Sequence, residues 1–183
     1  MSHSPNHLLV LDVDGVINAL SPSLPTGLQY SPYRAVDVEA EQNPGVYRIH
    51  YSPQVVNDIN HLSNHVTIVY LTTWEADTQH LAAQVGLNHF PYLPLEMEKT
   101  IQYEEPFTTQ KGNALRKYLH SNPEHFTPGS SIVWVDDQIT PRESTWAKRH
   151  GIIPHTPNPV IGLLKKEMRR VYDAFNVPYP ETA

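Results

Sequence analysis

Three short apolar runs divide the chain, and each ends abruptly in oxygen-bearing side chains. Residues 7–12 (HLLVLD) end in Asp12, residues 66–71 (VTIVYL) run into Thr72-Thr73, and residues 132–135 (IVWV) run into Asp136-Asp137. Unbroken apolar runs of this length fit strands buried on both faces. Helical patterns fall between them. Ser52-Pro53 reads as a helix start, with Ser as the cap and Pro in the first turn, and Val55, Val56, Ile59 and Leu62 as the buried face. Residues 75–85 read as a helix stopped by Gly86. Residues 109–120 read as another with Leu115 and Leu119 inside, and 141–150 as a third closed by Gly151. Pro159 is expected to open a last helix to about Phe175, with Leu163, Leu164, Met168 and Val171 at helical spacing. Weaker strand signals lie at 46–51, which alternates, at 90–95, interrupted by Pro91 and Pro94, and at Ile152-Ile153. Residues 19–45 carry Pro22, Pro25, Pro32 and Pro44 and little periodicity, the pattern of a long irregular excursion. The tail VPYPETA, within residues 176–183, reads as a loose end.

Strands alternating with helices predict an α/β fold, a mostly parallel sheet with helices on both faces. At 183 residues, with no linker composition, one domain spans 1–183. In such sheets ligands bind beyond the carboxyl ends of the strands. That edge would gather Asp12-x-Asp14, Thr72-Thr73 and Asp136-Asp137.

Composition narrows the chemistry. Without cysteine, the fold has no disulfide, thiol nucleophile or thiolate metal site. A net charge of -6 offers no global field for nucleic acid, though a local basic patch would still serve. His61 and His65 have the i, i+4 spacing of metal ligands on a helix, but Ser63 and Asn64 fall where that helix should end, so these histidines read as solvated. No apolar run reaches the length of a membrane span, and the polar start MSHSPNH does not read as a signal peptide. A cytoplasmic location is the default expectation.

Carboxylates crowded at one point repel, and a hard cation relieves the repulsion. Magnesium prefers oxygen ligands and leaves room for phosphate. Asp12 could then attack phosphorus in line, giving an aspartyl-phosphate. Asp14, two residues on, could protonate the leaving oxygen and later activate water. Gly15 lets the chain turn sharply after the strand. A Thr hydroxyl and a Lys ammonium could hold the phosphoryl oxygens. Thr72 follows the strand directly, with Thr73 as the alternative. Lys111, at a helix start, is preferred to Lys99.

In order along the chain, DVDGVIN (residues 12–18), the strand ending at Thr72, Lys111 ahead of a helix, and VDD (residues 135–137) resemble the four motifs of the haloacid dehalogenase (HAD) superfamily. The resemblance covers about residues 7–155. It implies a Rossmann-like core and Mg2+ held by Asp12, the Asp14 carbonyl and Asp136, with Asp137 as an outer or water-mediated partner. The second acid, Asp14, implies a phosphatase rather than an ATPase or dehalogenase. LDVDGVIN, YLTTW, VDD and the late TPNPVIGL are also similar to small HAD domains grouped with RNA-repair proteins. A HAD-fold protein that binds a phosphorylated ligand without turnover is the alternative.

The gaps between motifs leave no room for a separate cap domain, because a helix and the strand at 46–51 are assigned to the core. Residues 19–51 are instead expected to form a flap that selects the substrate. Tyr30, Tyr33, Arg34, Tyr47, Arg48 and Tyr51 could stack a base and bind further phosphates. Gly15, Asn18, Thr73 and Trp74, with Glu75 beside it, are further candidate substrate contacts. An open site suits a bulky phosphorylated substrate, such as a nucleic-acid end, unless a second copy of the chain covers it; a small nucleotide also fits the chemistry.

Overall fold

The computed structural model describes residues 6–21, 32–42, 44–95 and 109–180. Lys99, Tyr30 and part of the proline-rich excursion lie outside the described residues. In chain order the elements are β1 (Leu8–Leu11), β2 (Arg34–Ala40), β3 (Gly45–Tyr51), α1 (Pro53–Leu62), β4 (Thr67–Tyr70), α2 (Thr78–Val85), α3 (Gln110–Ser121), β5 (Ile132–Val135), α4 (Pro141–Arg149), β6 (Ile152–His155) and α5 (Lys165–Ala174).

The three apolar runs become β1, β4 and β5, which with β6 form a parallel sheet in the order β4-β1-β5-β6. Alternate residues of each strand face opposite ways, so two separate apolar layers form. On one face Leu9, Leu11, Ile68, Tyr70, Val133 and Val135 pack with Val55 and Ile59 of α1, Leu81 and Val85 of α2, and Met168 and Val171 of α5. On the other, Leu8, Val10, Val69, Ile132 and Trp134 pack with Leu115 and Leu119 of α3 and Trp146 and Ala147 of α4. Covering both faces is why the strands read as unbroken apolar runs. The result is the expected α/β fold, and no separate cap domain is present among the described residues.

The register fixes the site. Leu11 stands level with Tyr70 on one side and Val135 on the other. The next rung is still paired: Asp12 N donates to Val135 O at 3.0 Å, and Leu71 N donates to Leu11 O at 2.9 Å. Asp12 and Asp136 therefore leave the sheet as neighbours, with Thr72 one residue past the edge.

Five expectations need correction. Residues 46–51 do not join the core sheet; β3 pairs antiparallel with β2 in a separate two-stranded sheet. Part of the supposed irregular excursion is therefore regular: Val36, Val38 and Ala40 alternate with Asp37 and Glu39, and the apolar set turns inward onto Ile49 and Tyr51. The stretch around 90–95 contributes only one bridge, Tyr70 to Tyr92, because its prolines interrupt a ladder. The last helix begins at Lys165 rather than Pro159. Gly162, at φ +70°, breaks the path; a Cβ there would lie 2.6 Å from the Val16 carbonyl oxygen, and Leu163 N donates to that same oxygen at 2.9 Å.

The tail is not loose through residue 180. Tyr179 donates its hydroxyl to Asp58 Oδ2 at 2.6 Å, meets Tyr172 edge-on, and lies under the Arg169 guanidinium at 5.3 Å. Gln54 holds the other Asp58 oxygen at 3.0 Å, and Tyr172 donates to the Asp58 carbonyl at 2.6 Å. Burial pushes the Asp58 carboxyl up to about 6, against Gln54, Lys165 and His61, which pull it down.

Candidate active site

The loop after β1 closes on itself. Ile17 N and Asn18 N both donate to Val13 O at 2.9 Å, and Gly15 N donates to Asn18 O at 2.8 Å. Gly15, at φ +70°, allows this turn, and it has a second function. A Cβ there would fall 2.5 Å from Asp137 Cγ, so only glycine lets the Asp137 carboxylate approach so closely.

Asp12 and Asp136 are nearly inaccessible, at 3% and 1% exposure. One Asp12 oxygen accepts from Val13 N at 2.7 Å, and one Asp136 oxygen accepts from Gln138 N at 2.8 Å. Lys111 bridges the others, donating from Nζ to Asp12 Oδ2 at 2.5 Å and to Asp136 Oδ2 at 2.9 Å. Burial, together with Asp136 beside it, pushes the Asp12 carboxyl up to about 7, although Lys111 pulls it down. Burial opposes the Lys111 ammonium, but Asp12 and Asp136 outweigh it and its pKa lies above the ordinary value. Burial and Asp136 likewise raise Asp137.

Two buried carboxylates and one ammonium leave the cluster short of positive charge. Oxygens of Asp12, Asp136 and Asp137 lie within 4.8 Å of one another, the one group of three or more possible metal-ligating His, Cys, Asp or Glu side chains among the described residues. Asp137 Oδ1 is buried with no hydrogen-bond partner. A hard divalent cation would satisfy that orphaned atom and balance the carboxylates, so the residues present fit one. Asp137, expected one step back, is thereby brought into the same cluster as Asp12 and Asp136.

Asp14 faces elsewhere. Its Oδ1 accepts from Asn18 Nδ2 at 2.7 Å and its Oδ2 from Trp74 Nε1 at 2.9 Å. Asn18 is itself fixed, since its Oδ1 accepts from His50 N at 2.9 Å, and Ala19 N donates back to His50 O at 2.8 Å. The carboxylate is thus oriented through both oxygens. Thr72 is buried at the strand end, where its hydroxyl is 3.5 Å from Trp74 N, while Thr73 is exposed and faces a cavity of about 270 Å3. Asp14 and Asn18 line that cavity with Tyr47, Ile49, Trp74 and Asp77.

Arg34 and Arg48 stand in different places. Arg48 also borders the cavity, but its side chain is 60% exposed and bound to Asp37 across the hairpin at 3.0 Å. Arg34 is exposed on the rung opposite Tyr51 and is not part of the cavity wall.

Two further buried acids brace the site's surroundings. Asp77 is buried, and its two oxygens accept from Glu41 N at 2.8 Å and Gln42 N at 3.1 Å, fastening the β2–β3 turn to the start of α2. Nothing in its sequence context marks it. Glu143 takes hydrogen bonds from Thr140 N (2.9 Å), from the Thr140 hydroxyl and from the Thr109 hydroxyl, the cap of the helix that carries Lys111. Its signal was legible, because Thr140-Pro-Arg-Glu143 is the spacing of a capping box.

A parallel sheet whose strand ends converge on Asp12, Lys111 and the Asp136-Asp137 pair defines a HAD-type domain. The chain belongs to the family of HAD domains in Swiss Army Knife RNA repair proteins, whose family model matches residues 8–167. No curated protein matches the chain. Among the described residues no helix is long and apolar enough to cross a membrane.

Proposed function

We propose that this chain is a Mg2+-dependent phosphohydrolase that cleaves a phosphomonoester through an aspartyl-phosphate on Asp12. The observation that carries the reading is the junction of Asp12, Asp136 and Lys111, where one ammonium spans two buried carboxylates beside a third. A divalent cation at Asp12, Asp136 and Asp137 would supply the charge that keeps these carboxylates ionised and attracts a phosphate. Lys111 and the Thr72 hydroxyl hold the phosphoryl oxygens. An Asp12 oxygen bonds to phosphorus as the bond from phosphorus to the leaving oxygen breaks. The released electron pair stays on that oxygen, which takes the proton of Asp14. Water then attacks the same phosphorus and yields its proton to Asp14. The Asp12–phosphorus bond breaks, giving inorganic phosphate and the starting enzyme.

The hydrogen bonds from Asn18 and Trp74 support this assignment, because they aim Asp14 without displacing it toward the carboxylate cluster. The family's setting in RNA repair proteins makes a nucleotide or a nucleic-acid end with a 3′- or 5′-phosphate the first substrate to test. A panel of phosphoesters with Mg2+ tests the activity. Turnover is expected to stop with EDTA, to return with Mg2+, and to vanish in Asp12→Asn at unchanged circular dichroism. Hydrolysis that persists in Asp12→Asn rules out the nucleophile. Tight binding of a phosphorylated ligand with no turnover of any panel member points instead to a binding protein.

A further inference from the structure

The cavity beside Asp14 has a chemistry of its own. It is lined by Asp14 and Asn18 of the first-motif loop, by Tyr47, Arg48 and Ile49 of β3, and by Thr73, Trp74 and Asp77. Tyr47 and Trp74 meet there edge to face, with ring centroids 5.4 Å apart and planes at 67°. Ile49 and Ala40 add apolar surface. The volume, about 270 Å3, is near the lower limit of small-molecule pockets, so one ring-sized group fits rather than an extended chain.

The polar groups at its edge do not call for a second anion. Asp77 has both oxygens occupied by Glu41 N and Gln42 N. Asp14 brings a carboxylate, and the Arg48 guanidinium is already matched to Asp37. An anionic ligand would meet two carboxylates and no uncommitted cation among the described residues lining the cavity.

We infer that this cavity is the subsite for the leaving group, and that it takes a planar, uncharged ring held against Tyr47 and Trp74. The inference rests on the phosphohydrolase reading, because the leaving oxygen must lie against Asp14 to receive its proton, and the cavity is the space that opens from Asp14. Tyr47 and Trp74 are then specificity residues. Trp74 has a second role as a positioning residue, since the same ring that walls the subsite donates to Asp14 Oδ2.

The test compares benzyl phosphate with cyclohexylmethyl phosphate. Both release primary alcohols of similar acidity and bulk, but only one carries a planar π-face. Stacking against aromatic side chains predicts a kcat/KM on the order of tenfold higher for benzyl phosphate. That preference should collapse toward parity in Tyr47→Ala and survive in Tyr47→Phe. Tyr47→Leu keeps apolar bulk on the hairpin and serves if alanine loosens it. Calorimetry on Asp12→Asn, which cannot turn over, should give the same order of affinities for the two esters. Equal kcat/KM for both in the unsubstituted protein, or a preference unchanged in Tyr47→Ala and Tyr47→Leu, overturns the subsite while leaving the hydrolase intact. Ring-selective binding to Asp12→Asn that Tyr47→Ala abolishes, with no hydrolysis by the unsubstituted protein, keeps the ring site and removes the hydrolase.

Discussion

At the residue scale, the two acids of the first motif differ by their surroundings. Asp12 is buried against Asp136 and Lys111. Asp14 is held from outside the carboxylate cluster by an amide and an indole. Asp14→Asn keeps the shape and removes the transferable proton, so hydrolysis of an alkyl phosphate should fall by roughly 10²–10⁴. The loss should be smaller for 4-nitrophenyl phosphate, whose leaving oxygen needs no proton; steady-state kinetics on the two esters read the difference. A second carboxyl tests the folded core. Asp58 titrates near 6 in the folded chain, above its ordinary value, mainly because it is buried. The folded state therefore binds a proton between about pH 4 and 6 that the unfolded chain has released. That contribution is complete below about pH 4 and is lost as pH rises through 6. Urea midpoints should show Asp58→Asn removing a loss of roughly 2 kcal/mol across this window relative to the unsubstituted protein.

At the scale of elements, the legibility of the sequence divides by burial. β1, β4 and β5 are readable because strands covered on both faces must be apolar throughout; β1 and β5 stop at Asp12 and Asp136, and β4 runs into Thr72. The hairpin is only half legible. β2 alternates over only five residues within a proline-rich stretch, and the alternation of β3 reveals a buried face but not that its neighbour is β2 rather than the core sheet. The start of α5 was misplaced because Pro159 imitates a helix opening, whereas contact with the first-motif loop requires Gly162. Among candidate-site residues, the placement of Asp12, Lys111, Asp136 and Asp137 in one cluster is legible from strand ends and a helix start. The support from Asp77 and the pairing of Arg48 with Asp37 depend on tertiary contacts and leave little trace in sequence. Glu143 joins the start of α4 to the start of α3. Glu143→Ala should destabilise the fold by about 1–2 kcal/mol through two lost cap contacts. It should also lower kcat, because the helix presenting Lys111 loses its anchor; chemical denaturation and kinetics on the same preparation measure both.

At the scale of the whole molecule, the acidic cluster opposes the fold that contains it. Asp12, Asp136 and Asp137 bring three carboxyls to one sheet edge against a single ammonium. Mg2+ should therefore act on stability as well as on rate. At a hundredfold excess over its Kd it should raise the Tm by roughly 5 °C. Asp136→Asn should abolish most of that rise, and should stabilise the metal-free protein by easing the repulsion on Asp12. Scanning calorimetry with EDTA and with Mg2+ separates the two effects. A Tm indifferent to Mg2+ would contradict the assigned metal cluster.

The backbone of His50 has a consequence for how such a domain diversifies. Its N–H fixes Asn18, its carbonyl receives Ala19, and Asn18 in turn orients Asp14. The hairpin that walls the cavity is therefore also part of the mounting of the acid. A hinged lid would allow mutation to change substrate preference without touching the chemistry. Here the two are welded. On the proposed mechanism, a hairpin substitution that shifts β3 should change both the ligand accepted and the aim of the proton. A change of ligand that spares the proposed acid would have to come through side chains facing the cavity, such as Tyr47, with the main chain of β3 left in place.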